Sequence, residues 1–109
     1  MSFESLGLRA ELSRAVSEKG YTTPTSIQQQ SIPHILQGRD IMGGAQTGTG
    51  KTASFTLPIL QRLMEHGEPS NKPSKVRALI LTPTRELAAQ VAESVVDYGK
   101  HLPLSSFVI

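Results

Sequence analysis

The chain has 109 residues, and its 11 basic and 9 acidic side chains give a formal net charge of +2 at pH 7. It contains no cysteine, which excludes disulfides and thiolate metal sites and leads us to expect a cytoplasmic protein. No apolar run is long enough to cross a membrane, and charged residues near the amino terminus argue against a signal peptide. The small positive excess forms no basic stripe, so a nucleic-acid partner must be argued from motifs.

Apolar residues recur at helical spacing in four parts of the chain. They predict a first helix over residues 8–19, ended by Gly20, and a second over residues 25–37, which Pro33 should bend or split. A third helix begins near Lys51. A fourth follows the Thr-Pro pair at positions 82 and 83, and its predicted buried stripe consists of Leu87, Val91, Val95 and Tyr98.

Short apolar runs lie between these helices. Residues 40–45, 78–81 and 104–109 predict strands, and their alternation with helices predicts an α/β fold with a parallel sheet flanked by helices. Residues 66–75 are rich in proline, serine and glycine and predict an exposed, mobile connection. The last run has no turn or polar tail after it, so we expect a sheet truncated after about three strands.

A phosphate-binding loop is predicted over residues 45–52, because this segment lies between a predicted strand and a predicted helix. Its glycines permit backbone torsions that turn N–H groups toward phosphate oxygens. Lys51 would bind the β and γ phosphates, and the Thr52 hydroxyl would be a ligand to Mg²⁺. An incidental glycine-rich turn is the alternative, which the flanking elements make less favourable. The loop residues are Ala45, Gln46, Thr47, Gly48, Thr49, Gly50, Lys51 and Thr52.

Two other segments allow both a functional and a structural interpretation. The Gln28 amide complements the N6/N7 edge of adenine, but Thr25 and Gln28 also match a capping box that would only begin a helix. Residues 82–87 follow a predicted buried strand, where ligands bind in open parallel sheets. Main-chain N–H groups there, with Thr84 and Arg85, could hold a nucleic-acid phosphate; alternatively, Glu86 is an ordinary first-turn residue and Arg85 a solvated charge. Taken singly, both segments favour the structural interpretation.

In this order, the segments resemble the DEAD-box family of ATP-dependent RNA helicases, particularly its bacterial members. Residues 3–28 are similar to the Q motif, residues 45–52 to motif I in its AxTGxGKT form, and residues 83–87 to motif Ia. The alanine at the first loop position departs from the general phosphate-loop pattern and is usual in this family. The resemblance implies the amino-terminal part of the first RecA-like, P-loop domain of an RNA helicase, without the second helicase domain.

The resemblance also implies roles for individual residues. Gln28 would read adenine while Phe3 stacks on the base, and Tyr21 and Pro24 would shape the pocket. The implied catalytic residues are Lys51 and Thr52, with ATP and Mg²⁺ as cofactors. The implied contacts to the RNA backbone, which carry little sequence preference, are Pro83, Thr84 and Arg85.

Several parts that the family needs for hydrolysis do not occur in these residues: the DEAD and SAT motifs and a second domain with arginine fingers. The only aspartates are Asp40 and Asp97, and neither belongs to an Asp-Glu-Ala-Asp sequence. We therefore expect residues 1–109 alone to show no appreciable ATP hydrolysis or unwinding. We also expect unpaired strand edges, because later strands of family members lie between those predicted here, and self-association of copies through the three apolar runs.

Two other functions stay open at this point. Another phosphate-loop NTPase or kinase would keep Lys51 and Thr52 but need not prefer adenine through Gln28. A non-catalytic nucleotide- or RNA-binding module, or an inert structural fragment, is the second alternative. His34 and His101 lack partners at ligand or triad spacing, and His66 belongs to the predicted mobile connection, so no metal site beyond Mg²⁺ is predicted.

Overall fold

The computed structural model describes residues 2–44, 50–66 and 76–109. Within these ranges the chain forms a 3-10 turn and four α-helices. The turn is Glu4–Leu6, and the helices are α1 (Ala10–Glu18), α2 (Ser26–Leu36), α3 (Lys51–Glu65) and α4 (Arg85–Tyr98). All four helices confirm the predicted periodicity, and α2 continues through Pro33. No described helix has the length and apolar character needed to span a membrane.

The predicted fold class is wrong for this chain: residues 2–44, 50–66 and 76–109 contain no β-strand and therefore no incomplete RecA-like parallel sheet. A strand exists only when its backbone pairs with a neighbour, and the apolar runs do not pair with one another in the described part of the chain. Their large side chains are mostly exposed. These are Ile41, Met42, Leu79, Leu81, Phe107, Val108 and Ile109.

The hydrophobic core lies among the helices. Helix α3 contacts both α2 and α4, and α1 contacts α4. The core cluster consists of Phe3, Leu6, Leu8, Leu12, Val16, Ile32, Ala53, Leu57, Leu60, Tyr98 and Leu102. Of the stripe predicted on α4, Val91 and Tyr98 are buried and Val95 packs against the core, whereas Leu87 is 37% exposed.

A buried glutamine in α3 holds the amino-terminal segment in place. Gln61 is 6% exposed; its Oε1 accepts a hydrogen bond from the Arg9 N–H at 2.7 Å, and its Nε2 donates to the Gly7 carbonyl at 2.6 Å. The next residue, Arg62, donates to the Leu36 carbonyl at the end of α2 at 3.3 Å. Helix α3 therefore holds both the amino-terminal segment and the end of α2, although both are distant from it in sequence. By holding the amino-terminal segment, it positions Phe3.

Candidate functional site

A cavity of about 320 Å³ lies where the amino-terminal segment, the loop before α2 and the start of α3 meet. Its lining residues are Phe3, Gly20, Tyr21, Thr22, Thr23, Thr25, Gln28 and Gly50. The cavity thus brings together Phe3, Tyr21 and Gln28, which were predicted to bind adenine. Pro24, the fourth residue of that prediction, is buried in the same loop but lies outside the lining. The volume lies at the lower end of the range, roughly 300–1,000 Å³, that small-molecule sites occupy.

Gln28 is held in one orientation at the wall of this cavity. It is 2% exposed; its Oε1 accepts a hydrogen bond from the Thr25 N–H at 2.9 Å, and its Nε2 donates to the Gly50 carbonyl at 3.1 Å. An amide oxygen has two lone pairs and an amide NH₂ has two protons, so each atom keeps capacity for another hydrogen bond. The predicted capping box is confirmed, and it does not use up the amide.

The hydroxyl of Thr25 lies where the other half of the capping box requires it, but it makes no hydrogen bond of normal geometry there. Thr25 is the N-cap residue of α2, with its side chain set toward the Gln28 N–H. Its Oγ1 is nevertheless buried without a hydrogen-bond partner in the part of the chain that the structure describes. The start of α2 therefore depends mainly on the Gln28 side of the box.

Gly50 joins this wall to the helix that follows it. Its φ of +82° lies in the left-handed region, and a Cβ at this position would collide with Gln28 Nε2 and lie 3.1 Å from Gln28 Cδ. Glycine is therefore required here for its backbone torsion and for the space that Gln28 occupies. Because Gly50 is the N-cap residue of α3, the Gln28 amide reaches the amino-terminal end of this helix.

The first turn of α3 contains the two predicted catalytic residues. Lys51 is exposed and Thr52 is half-buried, and the Thr52 carbonyl accepts a hydrogen bond from Thr56 Oγ1 at 2.8 Å. The amino terminus of a helix offers unpaired N–H groups and a partial positive charge to an anion. The other predicted phosphate-binding residues lie outside the described residues: Ala45, Gln46, Thr47, Gly48 and Thr49. So does the connection predicted over residues 66–75, apart from His66.

The three residues predicted to contact RNA form the start of α4. Pro83, Thr84 and Arg85 are all exposed, and they lie outside the lining of the cavity. Thr84 is the N-cap residue, and its hydroxyl accepts a hydrogen bond from the Leu87 N–H at 3.1 Å. Thr84 therefore begins the helix, two positions later than the Thr-Pro pair predicted, while its exposed neighbours stay accessible to a ligand.

Sequence reasoning missed an ion pair that joins the loop of the cavity to α4. Lys19 Nζ lies 2.9 Å from Asp97 Oδ2 and 5.2 Å from the centre of the Tyr98 ring. The hydrogen bond to Asp97 raises the pKa of Lys19 above its ordinary value. Lys19 and Asp97 are 78 residues apart, so no local pattern could have indicated the pair.

A second cluster of charges lies next to this pair. Glu18 forms ion pairs with Lys100 and with His101, whose Nε2 lies 2.7 Å from Glu18 Oε1. Hydrogen bonds from Lys100 and then His101 lower the pKa of Glu18 to about 2. This cluster ties the end of α1 to the turn after α4.

Among the residues that the structure describes, no group of three or more His, Cys, Asp or Glu side chains could hold a metal ion.

Comparison with known proteins places these residues in context. A model of the DEAD/DEAH box helicase family matches residues 25–108. The chain is 50% identical over 101 residues to the ATP-dependent RNA helicase DeaD of Escherichia coli (strain K12), covering 93% of this chain and 15% of that protein. It is 48% identical over 103 residues to the ATP-dependent RNA helicase SrmB of Haemophilus influenzae, covering 94% of this chain and 23% of that protein.

A solved structure shows the same similarity in three dimensions. The crystal structure of the RNA helicase Prp28 from Chaetomium thermophilum bound to ADP matches with a TM-score of 0.85 and 41% sequence identity. The match covers 95% of this chain and 25% of that one. The chain therefore spans about a quarter or less of the length of each of these relatives.

Proposed function

The chain belongs to the DEAD/DEAH box helicase family, and from this premise we propose that it supplies the ATP-binding residues of an ATP-dependent RNA helicase that remodels RNA. The observation that carries the proposal is the cavity that joins Phe3 and Gln28 to Gly50, directly before the first turn of α3. A base in this cavity would have its phosphates at the start of a helix, which is a favourable position for anions. The relatives are named ATP-dependent RNA helicases, which agrees with this function.

Gln28 would make the site selective for adenine. The Thr25 N–H binds its oxygen and the Gly50 carbonyl binds its nitrogen, so the two ends of the amide are not interchangeable. The free lone pair can accept a hydrogen bond from the adenine N6 amino group, and the free N–H can donate a hydrogen bond to N7. Guanine presents an oxygen at the equivalent position, which would face the amide oxygen and be repelled. Phe3 and Tyr21 supply the aromatic surfaces of the cavity against which a base can stack.

Lys51 and Thr52 would act on the phosphates. The Lys51 ammonium can neutralise the β and γ phosphates, and the Thr52 hydroxyl can supply one oxygen ligand to Mg²⁺. Mg²⁺ commonly takes its remaining ligands from phosphate and water, so the single protein hydroxyl fits its usual mode of binding with nucleotides. When bound, the ion would offset negative charge on the transferred phosphoryl group.

Exposed Pro83 and Arg85 support a contact to the RNA backbone at the start of α4.

The test of adenine recognition is the ratio of ATP to GTP affinity, measured by calorimetry on the wild type and on Gln28→Glu. The substitution keeps the shape of the side chain but removes both N–H groups, so ATP binding should weaken by about tenfold or more and the preference for ATP should disappear. Gln30→Ala is the matched control, because Gln30 lies on the same helix and is exposed. Equal ATP and GTP affinity in the wild type would contradict the proposal and favour another phosphate-loop NTPase.

We further propose that the separate 109-residue chain self-associates through its apolar runs. Leu79, Leu81 and Phe107 are each at least 74% exposed, and unpaired apolar backbone is a template for pairing with a second copy. Light scattering over a range of concentrations should show masses above that of a single chain. Leu79→Lys combined with Phe107→Lys should return the mass to that of a monomer. A wild-type mass that stays at one chain at high concentration would contradict this proposal.

A further inference from the structure

We propose that the Lys19–Asp97 ion pair and Tyr98 position one wall of the adenine cavity, so that α4 determines how well this wall closes on the base. The wall is the segment of residues 20–23, which provides four consecutive lining residues. The proposal rests on the proposed function, because it assigns positioning residues to the same nucleotide site.

The wall has few supports of its own. Residues 20–23 lie between α1 and α2 and belong to neither helix. Tyr21 is 42% exposed, although its N–H donates to the Val16 carbonyl at 3.0 Å. A short segment outside helices keeps its shape only when side chains anchor it to something rigid.

Lys19 provides the anchor, directly before the wall. Its ammonium is 2.9 Å from the Asp97 carboxylate and lies over the ring of Tyr98 at 5.2 Å. The Lys19 side chain is 30% exposed and that of Asp97 is 41% exposed. The ion pair and the cation–π contact therefore act together on one side chain at the surface of α4.

Tyr98 makes this anchor rigid. It is 4% exposed and belongs to the hydrophobic core, and the Lys19 ammonium lies over its ring. Burial, and then the charge and hydrogen bonding of Tyr21, raise the pKa of Tyr98 above its ordinary value. The residue directly before the wall is therefore held against a side chain that the core fixes.

The Lys19–Asp97 pair could have a purely structural role, which would be to dock α1 on α4. The ion pairs of Glu18 allow docking to be tested separately from positioning of the wall. Glu18 precedes Lys19 by one position and also binds the end of the α4 region, through Lys100 and His101. Glu18 does not line the cavity, and its partners follow α4. Loss of the Glu18 contacts should loosen docking without moving the wall.

The test is charge reversal in the intact protein, with binding of a fluorescent ATP analogue as the first measurement. Lys19→Glu and Asp97→Lys should each weaken binding by about two- to fivefold, the range expected for a partly exposed ion pair. The double variant restores the pair in reverse and should recover most of the affinity. Glu18→Gln is the matched control and should bind the analogue as the wild type does.

Amide hydrogen exchange of residues 20–23 is the second measurement, and it needs no nucleotide. Exchange should be faster in the two single variants than in the wild type, and it should slow again in the double variant. The proposal is overturned if the single variants bind the analogue as tightly as Glu18→Gln does, or if the double variant recovers neither affinity nor protection. If the wild type does not bind the analogue, the proposed function fails, and exchange by itself decides whether α4 holds the wall.

Discussion

Leucines in two regions of the molecule have opposite surroundings. Leu57 in α3 and Leu12 in α1 are completely buried, whereas Leu79 and Leu81 are 74% and 83% exposed. The side chains are the same, but Leu12 and Leu57 belong to helices, whereas Leu79 and Leu81 belong to a continuous apolar run. The difference is that the helices pack on one another, while residues 76–81 have no packed layer over them within the described chain. Apolar composition therefore shows that a segment needs a partner, but it does not supply the partner.

The largest effect should come from truncating the same residue type in each region. Leu57→Ala removes a completely buried side chain and should lower the free energy of unfolding by about 2–5 kcal/mol, since it leaves a cavity. Leu79→Ala should change it by less than about 0.5 kcal/mol, because Leu79 is already exposed. Chemical denaturation of both variants, followed by circular dichroism, measures the difference. Equal losses of stability in the two variants would show that burial does not distinguish the two leucines.

A smaller effect is expected from two glycines that differ in their surroundings. Gly50→Ala should destabilise the protein by about 2 kcal/mol, because the left-handed torsion is strained for alanine and the new Cβ would displace the Gln28 amide. Gly44→Ala is the control, since a Cβ there meets no atom within 4 Å. Thermal unfolding and ATP binding should both be impaired only in Gly50→Ala. If Gly44→Ala is equally impaired, the contact with Gln28 is not the cause.

The smallest effect concerns pH within the packed helices, where Glu18 at the end of α1 binds Lys100 and His101 after α4. The pKa of Glu18 is lowered from 4.5 to about 2 in the folded protein. A lowered folded-state pKa means that the ionised form stabilises the fold above pH 4.5 and that this stabilisation is lost as the pH falls toward 2. Glu18→Gln should therefore reduce the slope of stability against pH in this window. An unchanged slope would show that the ion pairs contribute nothing in solution.

The helices and part of the site could be predicted because their signals are local. Gly20 ends the region of α1, and the Thr25–Gln28 box begins α2, as the spacing of these residues indicates. Gln28 was singled out by its amide chemistry and Phe3 by resemblance to a family, and the structure brings both to one cavity. Neither the Gln61 hydrogen bonds to the amino-terminal segment nor the Lys19–Asp97 pair had a local signal, since their partners are 52 or more residues away.

By itself, the amino-acid sequence determined the helical segments, the order of the motifs and the residue types available for binding, because these depend on neighbours within a few positions. Only the tertiary structure decided three other features. It oriented the Gln28 amide between Thr25 and Gly50, placed Lys19 against α4, and left the predicted strands without a sheet in the described residues. Each of these depends on backbone or side-chain partners that are distant in sequence, and a segment cannot specify a partner that its own residues do not contain.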